Sequence, residues 1–204
     1  MTKSYEVQME IAGPAAMFTR PDTGAAQVSY SAPTFSAAKG IFDSIARWKS
    51  ACIRPVKVEI CAPIKFHKYT TNYGGPLRKS NQISKGSSYQ IPATVLIDVC
   101  YRIYGAVEEV ASAPESNNHC HALQDFFNRR LGKGQLYYTP CLGWKEFVPS
   151  YVGPFRDETK IERDINITIP SMLYRVFDKL SDGKIQPEYK VNVIIERGVL
   201  HYDK

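Results

Sequence analysis

The hydrophobic pattern opens with a strand. Tyr5, Val7, Met9 and Ile11 alternate with Glu6, Gln8 and Glu10 over residues 4–12, the period of a half-buried strand, and Gly13-Pro14 is expected to end it. Residues 18–24 read as a loop with a turn, and residues 28–30 lead onward. The period then changes. Phe35, Ala38, Ile41, Phe42, Ile45 and Trp48 recur at helical spacing behind Thr34, a candidate N-cap, while Ser36, Lys39, Asp43 and Arg47 face out. Gly40 in mid-helix costs about 1 kcal/mol relative to alanine, which close approach to a strand would explain. A second strand is predicted over 55–64, with Val56, Val58 and Ile60 against Lys57, Glu59 and Cys61. Residues 70–90 are polar and read as a long loop. Residues 93–107 carry the strongest strand signal, and residues 112–118 a loop. A second helix runs from His119 or His121 to Leu131, with Leu123, Phe126, Phe127 and Leu131 apolar, and Gly132-Lys133-Gly134 ends it. Strands are predicted again at 135–140 and 144–152.

The order strand, helix, strand, strand, helix, strand predicts an α+β chain with a ferredoxin-like (RRM-like, split βαβ) domain over 1–153. Residues 154–204 read as a small C-terminal β appendage. It holds a charged connector at 156–163, strands at 165–169, 172–177, 189–195 and 199–202, and a turn at Arg197-Gly198.

Composition narrows the class. The 204 residues are 44% hydrophobic, enough for one large domain or one domain plus an appendage. No apolar run of about 18 residues occurs and the N-terminus lacks a signal-peptide core, so a cytoplasmic protein with no membrane association is expected. The five cysteines are odd in number and form no CxxC. Neither structural zinc nor a disulfide framework is expected, and the cysteines read as small buried hydrophobes.

Charge changes the picture more. Residues 49–85 hold eight cations and one acid, a net +7, against +6 for the whole chain. Residues 86–118 hold Arg102 against Asp98, Glu108, Glu109 and Glu115, a net −3. Positive charge segregated in this way suits a surface that meets phosphates, though such blocks are also found as solvated loops. Lys65-Phe66-His67-Lys68-Tyr69 interleaves cations with aromatics, as backbone neutralisation plus base stacking requires. Arg78, Lys79 and Lys85 follow in the 70–90 segment, read as a mobile hairpin that orders on RNA. Arg129, Arg130 and Lys133 surround the end of the second helix. They are either a phosphate grip or cations that complement the helix dipole. His119 and His121 are a catalytic base, an RNA contact or a plain helix N-terminal pair. With only Cys120 and the distant Cys141 to complete it, the histidine pair makes no metal site. Glu108-Glu109 reads as a solvated strand end, His201 as structural, and the Gly132-Lys133-Gly134 loop lacks Walker spacing.

Three blocks resemble one family. Phe18-Thr19-Arg20-Pro21 and the run from Val28-Ser29-Tyr30 through Pro33-Thr34-Phe35 to Lys39-Gly40-Ile41 form the first. Phe127-Asn128-Arg129-Arg130-Leu131-Gly132-Lys133-Gly134-Gln135 and Pro140-Cys141-Leu142-Gly143-Trp144-Lys145-Glu146-Phe147 form the second. Met172-Leu173-Tyr174 and Glu196-Arg197-Gly198-Val199-Leu200 form the third. Together they resemble the CRISPR-associated Cas-five family of the type I-C subtype. The resemblance implies a RAMP-type RNA-binding protein that cleaves precursor crRNA within the repeat. It then stays on the 5′ handle of the mature crRNA beside the other type I-C effector-complex subunits. The cleavage it implies needs no metal or other cofactor: a base takes the proton of a ribose 2′-OH, which attacks the adjacent phosphate and leaves a 2′,3′-cyclic phosphate.

The family has a tyrosine late in its first helix, and that position falls here at Ala46 or Arg47. Its Lys-His pair before the second helix corresponds to Asn118-His119, or less directly to Cys120-His121, with Lys133 or Lys145 left to supply the lysine. The expected catalytic residues are therefore His119, His121 and Lys133. The expected RNA contacts are Arg20, Lys65, His67, Lys68, Arg78, Lys79, Lys85, Arg129, Arg130 and Lys145. The alternative is a non-catalytic crRNA-binding subunit of the effector complex.

Overall fold

A computed structural model describes residues 4–24, 26–74, 78–110, 118–176 and 187–202. Its first strand, β1 (Glu6–Ala16), is the predicted one, with Val7, Met9 and Ile11 buried. It does not stop at Gly13-Pro14. It continues to Ala16, antiparallel to a later strand of 21 residues, which runs Tyr89–Glu109. Between the pairs Gly13↔Val99 and Ala15↔Ile97 lie Pro14 and Asp98, and Asp98 takes a left-handed φ of 54°. The strand on the other side of β1 covers only Glu10 to Ala12, so no neighbour there needs an N–H from Pro14.

β2 (Gln27–Val28) leads into α1 (Phe35–Ile45). Thr34 is its N-cap, its side chain accepting from the Ala37 N–H at 3.2 Å. The helix ends before Trp48, whose ring meets Phe126 at 5.6 Å. Gly40 is not explained by a strand packed against it: a Cβ there would meet nothing within 4 Å.

β3 (Ala51–Ile60) begins earlier than 55 and ends earlier than 64. Its register against the long strand shifts between Pro55 and Lys57. The buried apolar positions are therefore Ala51, Ile53 and Pro55, then Val58 and Ile60, and Val56 falls in the bulge, half-buried. β4 (Phe66–Tyr73) pairs with the first half of the long strand, from Phe66↔Leu96 to Tyr73↔Tyr89. The predicted 70–90 loop thus shrinks to a tip at 74–88, with 75–77 outside the described residues and a short helix, α2 (Ser80–Ser84), within it. The long strand is β5 (Tyr89–Glu109).

Residues 111–117, most of the second predicted loop, lie outside the described residues. α3 (His119–Gly132) buries Leu123, Phe127 and Leu131 and is capped by the Asn118 side chain. Gly134, with φ 64°, turns the chain at its end. The Gly134 N–H donates to the Leu131 carbonyl at 3.1 Å and the Gln135 N–H to the Arg130 carbonyl at 2.9 Å, a Schellman ending. Residues 135–140 are not a strand. The N–H groups of Tyr137 and Tyr138 both donate to the Ser44 carbonyl of α1, at 2.7 and 3.2 Å, which takes them out of any ladder. Of the predicted strand at 144–152 only the end is realised, in β6 (Tyr151–Gly153).

Three strands follow: β7 (Ile167–Arg175), β8 (Glu188–Glu196) and β9 (Val199–His201). β7 joins two predicted strands in one, and Phe177 lies outside the described residues. Arg197 and Gly198, with φ 49° and 77°, make the predicted hairpin turn. The sheet order is β6-β1-β5-β3-β9-β8-β7, antiparallel throughout, with β4 and the parallel β2 added to β5. The result is a mixed α/β fold with one long antiparallel sheet and few helices. No helix among the described residues is long and apolar enough to cross a membrane.

α1 and α3 cover the sheet face that carries Met9, Ile11, Ile53, Val58 and Ile103, and Phe42 meets Phe127 at 5.7 Å between the helices. The opposite face is polar. Glu10, 0% exposed, accepts from Arg156 Nε at 2.6 Å, Thr159 Oγ1 at 2.8 Å, the Arg156 N–H at 3.1 Å and Arg102 Nε at 3.3 Å. The charged connector is therefore packed on the sheet. The cysteines also differ from expectation: only Cys120 is buried, the other four are half-buried, and all five are free.

Candidate active site and nucleic-acid interface

The sequence-predicted residues fall at two ends of the sheet and along α3. The first group gathers at the α3 N-terminus. His119 Nδ1 lies 3.2 Å from Ser50 Oγ, which stands just before β3. His121 is half exposed, its Nε2 3.5 Å from Asp125 Oδ2 and its ring 5.9 Å from Tyr5, edge to face. Asn118 joins the parts. Its Oδ1 accepts from the His121 N–H at 3.0 Å, and its Nδ2 donates to the Tyr5 hydroxyl. A phenol, two imidazoles and a serine hydroxyl thus surround one helix N-terminus, whose first amides have no partners within the helix.

The alternation of β1 marks Tyr5 only as its first apolar residue, and the long-range packing of α3 against the start of that strand puts it beside His121. Ala46 and Arg47, where a tyrosine is expected from the family pattern, lie in the turn after α1, Ala46 as its buried C-cap and Arg47 exposed. Lys49, exposed and next to Ser50, is the nearest lysine to His119 along the chain in that turn. Lys133 is not brought to the histidines. It stands at the other end of α3, about 20 Å away at 1.5 Å per residue, because one straight helix separates them.

The second group gathers around the far end of β1 and the β4–β5 hairpin. Phe66, His67 and Lys68 are exposed along β4. Lys65 precedes them, 3.6 Å from Asp98. At the hairpin tip Arg78 Nη1 donates to the Ser87 carbonyl at 2.7 Å, while Lys79 and Lys85 are the two caps of α2. Tyr69 packs on Phe147 at 5.5 Å, and Phe147 stacks on Trp144 at 5.9 Å. Trp144 Nε1 in turn donates to Thr19 Oγ1 at 2.9 Å. That chain of contacts brings the exposed Lys145 and Arg20 to the hairpin root. Gly143 permits the docking. Its φ is 91°, and a Cβ there would sit 1.8 Å from the Met17 carbonyl oxygen. Arg20 is held by Asp22 through bonds of 3.2 and 2.7 Å. It lines a cleft of about 500 Å³ with Tyr30, Phe66, Thr94 and the start of β7.

The third group, Arg129 and Arg130, stacks on Phe126 at 5.6 and 5.2 Å, one helical turn from Lys133. Arg130 Nε is the one buried side-chain nitrogen or oxygen without a hydrogen-bond partner among the described residues. Tyr137, 64% exposed, and Tyr138 stand beside the helix end.

Comparison with known proteins gives a consistent answer. The family model for CRISPR-associated protein (Cas_Cas5), in its Cas5d form, matches residues 7–170. The CRISPR pre-crRNA endoribonuclease Cas5d of Mannheimia succiniciproducens is 32% identical over 158 residues, 69% of each chain. The protein of the same name from Thermus thermophilus is 28% identical over 172 residues, 82% of this chain and 72% of that one. Among solved structures, a CRISPR-associated protein superposes with a TM-score of 0.72 at 18% identity, covering 97% of this chain and 91% of that one. A functionally uncharacterised protein of Streptococcus mutans superposes at 0.70 and 19% identity, over 97% and 92%. At such identities the two structures speak for the fold alone. The family model and the 32% identical relative carry the assignment, and by them this chain is a member of the Cas5d family of CRISPR-associated proteins.

Proposed function

We propose that this chain is a precursor-crRNA endoribonuclease whose reaction centre is the α3 N-terminus. The observation that carries the reading is the cluster of His119, His121, Tyr5 and Ser50 there, in a chain whose relatives are named pre-crRNA endoribonucleases. One imidazole takes the proton of the ribose 2′-OH, and the alkoxide attacks the adjacent phosphate. The phosphorane charge faces the positive end of the helix dipole at the α3 N-terminus, with Lys49 as the nearby cation. The second imidazole or the Tyr5 hydroxyl returns a proton to the leaving 5′-oxygen, so no metal enters the scheme. Tyr5 thereby takes the role the family pattern gives to a tyrosine late in the first helix.

The cations at the hairpin and the hairpin root (Lys65, His67, Lys68, Arg78, Lys79, Lys85, Arg20 and Lys145) hold phosphates of the repeat. Arg129, Arg130 and Lys133 do the same at the helix end. After cleavage the protein stays on the 5′ handle as a subunit of a type I-C effector complex in the cytoplasm. The order β6-β1-β5-β3, with α1 and α3 after the first and third of these strands in the chain, supports reading 1–153 as a ferredoxin-like RAMP domain. Residues 154–204 are then its β appendage.

A second reading, a crRNA-binding subunit that does not cut, is favoured by the absence of tyrosine at 46 and 47 and the remoteness of Lys133. Incubation with the cognate repeat RNA in EDTA separates the two. Cleavage to a 2′,3′-cyclic phosphate, lost in the His119→Ala, His121→Ala double variant, supports the nuclease. Handle binding without cleavage supports the second reading.

A further inference from the structure

The polar face of the sheet holds a pair of thiols that the RNA chemistry does not use. Cys61 follows β3 directly, and its N–H donates to the Cys100 carbonyl on β5 at 2.8 Å. This continues the ladder beyond Ile60↔Tyr101, so the two cysteines stand opposite each other on one face, beside the Glu59↔Arg102 pair. Directly opposed residues of antiparallel strands have Cα atoms about 4.5–5.5 Å apart, within the span a disulfide bridges. The Cys61 thiol donates to the Glu59 carbonyl of its own strand at 3.6 Å. Around Cys100 lie Arg156 Nη2 and Glu10 Oε1, each 3.8 Å from its sulfur. Both thiols are half-buried, so a small oxidant reaches them.

We propose that Cys61 and Cys100 form a redox-modification site, which hydrogen peroxide converts to an intramolecular disulfide. Cys100 is the attacking sulfur. The neighbouring Cys61 thiol holds it below the usual range, with help from the Arg156 guanidinium and against burial and the Glu10 carboxylate. The neighbouring Cys100, with burial, pushes Cys61 up and keeps it a protonated partner. The Cys100 thiolate attacks one peroxide oxygen, the O–O bond breaks, and a sulfenic acid and hydroxide form. Cys61 sulfur then attacks the sulfenic sulfur. The S–O bond breaks, the S–S bond forms, and the released hydroxyl takes the Cys61 proton as water. Two thiols lose two electrons and two protons, and the peroxide is reduced to two waters.

The bond would close a loop from 61 to 100 that contains the whole β4–β5 hairpin. It ties that hairpin at its root, one strand end away from Lys65. A reducing compartment keeps such a pair as thiols, so the bridge is a response to peroxide rather than a standing part of the fold.

The test uses the purified full chain without RNA, so its failure leaves the proposed nuclease reading untouched. After a stoichiometric peroxide pulse, the titratable thiol count falls by two from the five free cysteines. Non-reducing peptide mapping finds Cys61 joined to Cys100, and dithiothreitol restores both. In Cys61→Ser, peroxide leaves Cys100 as a sulfenic acid that dimedone traps, while in Cys100→Ser no dimedone adduct forms at Cys61. An unchanged thiol count in the wild type overturns the proposal. So does a bridge between any other pair of the cysteines, or dimedone labelling of Cys61 in Cys100→Ser.

Discussion

The two ends of β1 are built from different materials. At its start, Tyr5 meets Asn118, His121 and, through them, His119 and Ser50: hydroxyls and imidazoles, the groups a proton transfer would need. At its far end, beyond Ala16, the chain gathers Arg20, Lys145 and the β4–β5 hairpin, where charge is abundant and the aromatic residues form the support. Ten strand steps separate them, about 33 Å at 3.3 Å per residue. A cleavage site needs a few atoms in fixed places, whereas a polyanion grip needs many charges in loose ones. The contrast therefore predicts that one end governs rate and the other affinity.

The sharpest way to break that division is at the histidines. His119→Ala with His121→Ala is expected to lower the single-turnover cleavage rate by at least about 10³-fold, since general acid and general base are removed together. Handle affinity, read by filter binding, should stay within about twofold, since the phosphate contacts are assigned to the cations elsewhere. A parallel collapse of binding would erase the distinction.

Glu10 lies between the ends and should damage both. Glu10→Ala strands Arg102 and Arg156 on the polar face. The expected loss is about 3 kcal/mol of unfolding free energy in a urea titration, at the lower end for a broken buried pair because Arg156 reaches water. Burial raises the Glu10 pKa, but the hydrogen bonds from Thr159, Arg156 and Arg102 outweigh it and hold the carboxyl below its ordinary 4.5. A depressed carboxylate contributes its stability above the unfolded value and loses it as pH falls through the folded one. Wild type should therefore lose Tm below about pH 4.5 more steeply than Glu10→Gln.

The cation end is probed by Lys65, Lys68, Lys79 and Lys85 changed together to alanine. The log–log salt slope of binding should fall by about 0.7 for each phosphate contact removed, with affinity at low salt down on the order of 10²-fold. At saturating protein the cleavage rate should be unchanged. The smallest effect is expected at Tyr5→Phe: a roughly tenfold slower cut with equal binding, the signature of one lost proton donor among several. An unaltered rate would remove Tyr5 from the chemistry.

How much of this was legible depended on whether a signal was local. Thr34, the α1 stripe and the Gly134 ending of α3 are written in neighbouring residues and came through. β4 did not, because its residues are exposed and polar, and no buried face imposes an alternation on it. Val56 misled because a bulge exchanges the faces of β3 midway. Leu136-Tyr137-Tyr138 has strand composition, but its amides serve the Ser44 carbonyl, a partner ninety-odd residues earlier in the chain. The histidines and cations are legible as candidates by type and spacing. Tyr5 and the displacement of Lys133 needed the third dimension, since both depend on which end of α3 meets the start of β1.

The 21 residues of β5 also set a timetable for synthesis. β4 pairs only with β5, β1 with β5 and β6, and β3 with β5 and β9. Every ladder that the first 88 residues can join thus needs chain not yet made. At 5–20 residues per second, roughly 5–20 s pass between the emergence of β1 and that of the last β5 residue. Throughout that interval Val7, Met9 and Ile11, joined once made by Ile53 and Val58, have no sheet to enter and only α1 to cover them. The nascent chain, rather than the finished protein, is where a chaperone has the most to cover.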